Sequence, residues 1–135
     1  MTKPVRRFIL IDDDALTNLL SKKIILKNIN NVEVKDFIDP ELALEHIEAE
    51  FGQNQSEGET IIFLDINMPT LTGWEFLDKF ERFSTLIKNQ FRIYMLSSSV
   101  DPADVQRAKL NPLVTDFIEK PINKVVLVKL FKSEV

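Results

Sequence analysis

The chain of 135 residues contains no cysteine, one histidine, one tryptophan and three glycines. Without cysteine, disulfide bonds, thiol nucleophiles and cysteine-ligated metals are excluded. Long hydrophobic runs are also missing. The first apolar run, residues 8–11, meets three aspartates after four residues, which is too short for a signal peptide or a membrane span. We therefore expect a cytoplasmic protein that has no membrane partner.

The balance of charge and hydrophobicity indicates a folded, mildly acidic domain. Hydrophobic residues make up 44% of the chain, enough to build a core, and the net charge of −4 argues against nucleic acid as a direct partner. The length suits one domain, so we expect residues 1–135 to form a single domain with no attached output domain.

Short apolar segments alternate with helical patterns along the chain. We expect strands near residues 6–11, 32–37, 60–65, 91–97 and 115–118, and helices near 14–28, 40–51, 73–84, 102–110 and 122–132. The second strand alternates valine with charged residues, as an exposed edge strand does, whereas the first, third and fourth strands are continuously apolar. This predicts an α/β fold, a doubly wound five-stranded parallel sheet of order 2-1-3-4-5, flavodoxin-like.

Several helix and loop features carry secondary expectations. In the first helix, we expect the apolar residues Leu16, Leu19, Leu20, Ile24 and Leu26 to face the core and Lys22, Lys23 and Lys27 to face solvent. His46 is expected to be an exposed surface residue, and residues 52–59 a solvated polar loop at the end of the sheet opposite the acids. The fifth helix is apolar on more than one face, which fits either core packing or a dimer or partner surface.

Four of the expected strands end in residues capable of metal or phosphate chemistry. Asp12, Asp13 and Asp14 follow the first strand and Asp65 follows the third. Ser97, Ser98 and Ser99 follow the fourth strand, and Lys120 follows the fifth. Because ligands of open parallel sheets bind beyond the carboxyl ends of the strands, these side chains are predicted to form one site.

The aspartates favour a divalent cation. Asp12, Asp13 and Asp65 converge if the first and third strands are neighbours, and a cation relieves the repulsion among three carboxylates. With no cysteine and one histidine, the ligands indicate Mg²⁺, or Mn²⁺, and not zinc. Alternatively, Asp12–Asp14 form the N-cap and dipole-complementing acids of the first helix, an interpretation that fits Asp14 best. It does not explain Asp65.

Asp65 is either a metal ligand alone or also a nucleophile. A carboxylate can attack phosphorus when a metal ion and a lysine neutralise the transferring oxygens. Lys120 is placed to supply that charge, and Ser97 to donate its hydroxyl to the same phosphoryl group. The alternatives are a solvated lysine and a serine turn.

The motifs Asp12-Asp13, Asp65-Ile66-Asn67-Met68-Pro69 with Gly73, Ser97 and Lys120-Pro121 resemble the receiver domain of two-component response regulators, of the stand-alone chemotaxis type. The resemblance covers essentially the whole chain, and the motifs occur in the family's order. It implies that Asp65 accepts a phosphoryl group from a phosphohistidine. The donor would be a sensor histidine kinase or a histidine phosphotransfer protein.

The resemblance also implies a Mg²⁺ site. Asp13 would bind the ion directly, with Asp12 assisting, often through water. Asp65 and the main-chain carbonyl of Asn67 would complete the protein ligands. Asn67 and Ser99 occupy the two positions that tune dephosphorylation in this family.

Three further residues match family positions around the phosphoryl group. Ser97 stands at the switch threonine or serine and Phe117 at the switch aromatic position, where it lacks a tyrosine hydroxyl. Lys120 would pair with Asp65 and then with the phosphoryl oxygens. The Lys120–Pro121 bond is expected to be a cis-proline bond.

The function implied is a signalling phosphoacceptor, not an enzyme that turns over a separate substrate. Phosphorylation would draw Ser97 inward and let Phe117 rotate, which reshapes the face formed by the fourth helix, the fifth strand and the fifth helix. That face would bind a downstream protein, or the phosphoryl group would pass onward. A monomer or weak dimer is expected.

Two other functions share some of these residues. A metal-dependent phosphatase of the haloacid dehalogenase type also uses an aspartate nucleophile, a serine or threonine and a lysine. It normally has a second acid two residues after the nucleophile, where this chain has Asn67, and a cap domain is missing here. A receiver-like scaffold that is never phosphorylated is the other alternative, and the intact acids, Ser97 and Lys120 argue against it.

Overall fold

The computed structural model describes residues 3–53, 55 and 57–135. The strands are β1 (Val5–Ile11), β2 (Glu33–Phe37), β3 (Glu59–Asp65), β4 (Phe91–Ser97) and β5 (Val114–Glu119). The helices are α1 (Ala15–Asn28), α2 (Pro40–Phe51), α3 (Gly73–Glu81), α4 (Thr85–Lys88), α5 (Pro102–Leu110) and α6 (Lys124–Leu130). The strands form one parallel sheet of order β2-β1-β3-β4-β5, which confirms the predicted fold.

Two hydrophobic clusters cover the two faces of the sheet. Ile9 and Ile11 of β1 point into one cluster, which packs under α2, α3 and α5. Phe8 and Leu10 point the other way, into a cluster under α1 and α6. This alternation leaves no free face on the central strands, which is why they are continuously apolar. Among the described residues, no helix combines the length and hydrophobicity needed to cross a membrane.

Side chains that accept main-chain N–H groups cap the helices at their first turns. Asp39 and Asp101 accept main-chain N–H bonds at the starts of α2 and α5, each of which has proline in its first turn. Thr72 and Glu75 form a reciprocal capping box at the start of α3. These caps fix where the loops at the carboxyl edge of the sheet end.

The predicted helix over residues 73–84 is wrong at its end. It ends at Glu81, and a separate short helix, α4, begins at Thr85, so the fold has six helices among the described residues instead of five. Ser84 is the N-cap of α4 and accepts the N–H of Ile87 at 3.4 Å, so a new helix begins after it. The fourth and fifth predicted helices are therefore α5 and α6.

The predicted core face of α1 is wrong for its four leucines, whereas Ile24 is partly buried and packs against the core as expected. Leucines 16, 19, 20 and 26 are 47–61% exposed, whereas the buried residues of the helix are Asn18, Ser21 and Ile25. The leucines and the buried residues both recur at helical spacing, so hydrophobic periodicity alone predicted that the leucine side of the helix would be buried. On the buried side of the helix, Ile25 packs into the core and Asn18 makes hydrogen bonds at the sheet, as described below.

Smaller differences concern His46, α6 and the polar loop. His46 is partly buried, with its ring centroid 5.3 Å from that of Phe37, and burial followed by the charge of Lys35 lowers its pKa. It was expected to be exposed. On α6, Leu127 is buried while Val125 is 77% exposed. In the loop predicted over residues 52–59, positions 54 and 56 lie outside the described residues.

Candidate functional site

Three aspartates meet where β1 and β3 end. β1 and β3 are neighbours, so Asp12, Asp13 and Asp65 each place a carboxylate oxygen within 4.8 Å of the others. Asp12 and Asp65 are buried, and Asp13 is exposed. The cluster therefore offers carboxylate oxygens from two buried side chains, and it is open to solvent at Asp13. Such a donor set suits Mg²⁺, which prefers oxygen and keeps some of its waters.

Lys120 bridges two of these acids. Its Nζ lies 2.5 Å from Asp12 Oδ2 and 3.2 Å from Asp65 Oδ1. The main-chain N–H of Lys120 donates to the carbonyl of Ser97 at 2.8 Å, and the Lys120–Pro121 bond is cis. Burial lowers the pKa of Lys120, but the hydrogen bond and charges of the two acids outweigh it, so the pKa is raised overall. The lysine thus stays charged within the acid cluster.

Asp65 has an unusual electrostatic environment. Burial and then the charge of Asp12 raise the pKa of Asp65, although Lys120 opposes the shift. The N–H of Asn67 approaches Asp65 Oδ1 at 3.4 Å, which is a weak contact. A carboxylate with a raised pKa is a better electron-pair donor than an exposed aspartate.

The loop after β1 is ordered by its own aspartates. The N–H of Asp14 donates to Asp12 Oδ1 at 2.9 Å. Asp14 in turn caps α1, accepting from the N–H of Leu16 at 3.0 Å, and these helix N–H groups, with Thr17 contributing most, lower the pKa of Asp14. This confirms the N-cap interpretation for Asp14 and separates it from the acid cluster.

Gly73 allows the loop after β3 to close tightly beside Asp65. Its N–H donates to the carbonyl of Ile66 at 2.8 Å. A Cβ at this position would lie 2.7 Å from the carbonyl oxygen of Asp65 and 2.9 Å from Met95 Cε. The segment bearing Asp65 and Asn67 is therefore held against β4 by a contact that only glycine permits.

Ser97 is buried at the end of β4 and is bonded within its own loop. Its Oγ donates to the carbonyl of Ser99 at 2.8 Å and accepts from the N–H of Ser99 at 3.1 Å. Phe117 is partly buried and borders a cavity of about 410 Å³ between α5 and β5. Other residues that line the cavity include Val100, Val105, Ala108 and Val114. The predicted switch residues thus lie on neighbouring strands, with free volume beside the ring.

Two contacts near the site were not expected from the sequence. Asn18 of α1 is buried, and its Nδ2 donates to the carbonyl oxygens of Asp12 at 2.9 Å and Phe37 at 3.2 Å. Arg107 of α5 stacks on Trp74, with its guanidinium carbon 4.3 Å from the ring centroid. The signal for Asn18 was an amide near the start of a helix, on the side opposite the leucines. No sequence pattern paired Arg107 with Trp74.

Comparison with known proteins identifies the class. Residues 8–132 match the family model of the response regulator receiver domain. The chain belongs to this family, whose members are signalling domains of two-component systems. The comparison with curated proteins gives no match.

Solved structures agree with this assignment. A two-component response regulator from Cytophaga hutchinsonii is 30% identical over 97% of each chain, with a TM-score of 0.83. A response regulator receiver protein from Dyadobacter fermentans is 27% identical, covers 95% of this chain and 96% of its own, and has a TM-score of 0.83. The chemotaxis protein CheY4 of Vibrio cholerae, at 24% identity and a TM-score of 0.73, shares the fold over 97% of this chain and 99% of its own.

Proposed function

We propose that this protein is a phosphoacceptor response regulator and that Asp65 receives a phosphoryl group from a phosphohistidine. The observation that carries the proposal is that Asp65 lies 3.2 Å from Lys120 and within 4.8 Å of the carboxylates of Asp12 and Asp13. A nucleophile, a cation and an oxygen-rich metal site are what an in-line phosphoryl transfer to a carboxylate requires.

The transfer itself is a displacement at phosphorus. A carboxylate oxygen of Asp65 attacks the phosphorus atom as the bond from phosphorus to the donor imidazole nitrogen breaks. The electron pair of that bond returns to the nitrogen, which can take up a proton. The product is an acyl phosphate on Asp65 and a free histidine. Lys120, already bonded to Asp65, is placed to follow the developing charge on the phosphoryl oxygens.

The residues present fit a Mg²⁺ ion. Asp12, Asp13 and Asp65, with the main-chain carbonyl of Asn67, would hold it at the open side of the cluster. When bound, the ion neutralises negative charge on the phosphoryl oxygens. Lys120 does not replace it, because one lysine beside several carboxylates leaves the site net negative. Asn67 and Ser99 would border the phosphoryl group and set its lifetime.

The response would pass through Ser97 and Phe117. To reach a phosphoryl group on Asp65, Ser97 must exchange its bonds with Ser99 for a bond to phosphate oxygen. Phe117 can then turn beside the adjoining cavity. Helix α5 buries only Ala108 among its nine residues, so it is lightly packed and able to shift. The face of α5, β5 and α6 would then bind a downstream protein, or the phosphoryl group would pass to another histidine.

The exposed leucines of α1 suit a docking surface for the donor. Helix α1 begins directly after the acid cluster, and Leu16 and Leu20 are 61% and 58% exposed at its start. Apolar groups at helical spacing beside a reactive site favour association with an apolar helical face of another protein. A histidine-bearing donor docked there would lie close to Asp65.

The test is the intact mass of the protein after incubation with acetyl phosphate and Mg²⁺. We expect a gain of one phosphoryl group that is lost on alkaline treatment, prevented by EDTA and missing in Asp65→Asn. Failure of the wild-type protein to form any adduct, together with failure to bind beryllofluoride, would contradict the proposal. Binding of beryllofluoride can be followed by the fluorescence of Trp74, a buried residue that follows Gly73 at the start of α3.

A further inference from the structure

Asn18 is a buried polar side chain that the phosphoacceptor chemistry does not use directly. It is 1% exposed and is the fourth residue of α1, with its amide bonded to main-chain carbonyls at the edge of the sheet. Asparagine lowers helix stability relative to leucine, and burying an amide is unfavourable unless it is hydrogen-bonded. The chain has leucines on the same helix that face solvent instead. The position of Asn18 therefore calls for a specific role.

Its hydrogen bonds join three segments at the edge of the acid cluster. Nδ2 of Asn18 donates to the carbonyl oxygen of Asp12, which follows β1, at 2.9 Å. The same amide donates to the carbonyl oxygen of Phe37, the last residue of β2, at 3.2 Å. The main-chain N–H of Asp12 also donates to the carbonyl oxygen of Phe37, at 3.1 Å. The main-chain N–H of Asp12 is thus bonded to β2, and its main-chain carbonyl is bonded to Asn18.

Fixing the main chain of Asp12 fixes its carboxylate. Asp12 Oδ2 meets Lys120 at 2.5 Å, and Oδ1 accepts the N–H of Asp14 at 2.9 Å. Rotation of the Asp12 peptide would break these contacts and move one acid away from the other two. A residue that forms hydrogen bonds to the main chain of a metal-ligating residue influences the metal site without contacting the ion.

We infer that Asn18 is a positioning residue for the acid cluster: its amide bonds to Asp12 and Phe37 hold the Asp12 carboxylate where the cation and Lys120 need it. The inference rests on the proposed function of the site. An inward Asn18 also goes together with the exposure of Leu16, Leu19 and Leu20 on the outer surface of α1. A single residue then links the geometry of the acid cluster with the surface that a phosphoryl donor would meet.

The alternative is that Asn18 contributes only to folding. The two roles differ in what happens to the folded fraction of a variant. A folding role lowers the melting temperature and leaves the dissociation constant for Mg²⁺ unchanged below the transition. A positioning role weakens the binding of Mg²⁺, by about 10-fold or more if Asn18 behaves as outer-sphere partners of metal ligands usually do.

The experiment compares wild type, Asn18→Ala, Asn18→Ser and the control Ser21→Ala, which lies one turn further along the buried side of α1. Mg²⁺ is titrated at a temperature where each protein is folded, with Trp74 fluorescence as the readout. Amide hydrogen exchange of Asp12 and Asp14 is measured by NMR without metal. For Asn18→Ala we expect an about 10-fold higher dissociation constant and faster exchange at both amides. Asn18→Ser, which keeps a donor, should lose less, and Ser21→Ala should match wild type.

Each result decides one of two questions. Wild-type protein that binds no Mg²⁺ and accepts no phosphoryl group would overturn the proposed function. Wild-type protein that does both, with Asn18→Ala binding Mg²⁺ within twofold of it and with unchanged amide exchange, would overturn the positioning role. If Asn18→Ala does not fold, Asn18→Leu, which is close to asparagine in size and removes both hydrogen bonds, is judged by the same thresholds. An equal loss in Ser21→Ala would also contradict the inference, since burial and not the hydrogen bonds would then matter.

Discussion

Replacing Asp65 by asparagine should stabilise the metal-free protein, although it removes the proposed phosphoacceptor. Two charge interactions of Asp65 oppose each other. Attraction to Lys120 at 3.2 Å is about 5 kcal/mol at an effective dielectric constant of about 20, and repulsion from a carboxylate within 4.8 Å is about 3.5 kcal/mol or more. Burial adds a cost that only the ionised form of Asp65 bears. The raised pKa of Asp65 shows that burial and Asp12 together outweigh Lys120.

The asparagine keeps the shape of the side chain and an oxygen for Lys120, but avoids the burial of a charge. We expect a net gain in the free energy of unfolding on the order of 1 kcal/mol at pH 7 without metal. Asp78→Asn, a change at an exposed aspartate on α3, is the matched control and should have little effect.

The pH dependence follows from the direction of the shift. Between the ordinary pKa of 3.8 and the raised pKa of folded Asp65, the folded protein binds more protons at this site than the unfolded chain. The contribution of Asp65 to stability therefore falls as the pH rises through that interval. The advantage of Asp65→Asn over wild type should be small below pH 3.8 and should grow as the pH rises from there towards 7.

Urea unfolding monitored by circular dichroism, at pH 7 and at low pH, in EDTA or Mg²⁺, measures these differences. At ten times its dissociation constant, Mg²⁺ should stabilise wild type by about 1.4 kcal/mol, and the variant by much less because it has lost one carboxylate. Wild type that is more stable than Asp65→Asn in EDTA at pH 7 would refute the reasoning, since attraction to Lys120 would then dominate.

Three further substitutions test other parts of the site. Lys120→Met removes the cation between Asp12 and Asp65, so the free energy of unfolding measured with urea in EDTA should fall by roughly 3 kcal/mol, as for a broken buried ion pair. Mg²⁺ should recover part of this loss, and an unchanged unfolding midpoint would contradict the prediction. Gly73→Ala places a Cβ 2.7 Å from the carbonyl oxygen of Asp65, and should lower stability by about 1–3 kcal/mol in the same assay, with an unaltered midpoint as the contrary result. Arg107→Ala removes the cation 4.3 Å from the Trp74 ring, so it should shift the tryptophan emission spectrum and cost about 0.5–1 kcal/mol. Arg82→Ala, at an exposed residue, should not shift the emission, and equal spectra for both variants would count against the stacking.

The sheet and the convergence of the site were predictable because each depends on a simple pattern. Continuous apolar runs identified the central strands, and the alternation in β2 identified an edge. Since parallel strands share one carboxyl edge, finding Asp12, Asp65 and Lys120 at strand ends was enough to bring them together. The order of the strands then made Asp12 and Asp65 neighbours.

The orientation of α1 could not be obtained in the same way. Its leucines form a regular stripe, and hydrophobic periodicity places such a stripe inside. The helix instead buries a side on which Ile25 packs into the core and the Asn18 amide satisfies two carbonyl groups. Periodicity does not encode the second of these tertiary requirements. The division of residues 73–88 into α3 and α4 similarly depends on a local cap at Ser84. Tertiary contacts also decided the partial burial of His46, whose ring lies beside that of Phe37.

The most direct test of the account is to locate the phosphoryl group within the sequence. The protein is incubated with acetyl phosphate and Mg²⁺, reduced with borodeuteride to convert an acyl phosphate into a labelled homoserine, digested and sequenced by mass spectrometry. The account predicts label at Asp65 alone, and none after incubation in EDTA. Label at Asp12 or Asp13 instead, or an adduct that forms equally without Mg²⁺, would contradict the central claim.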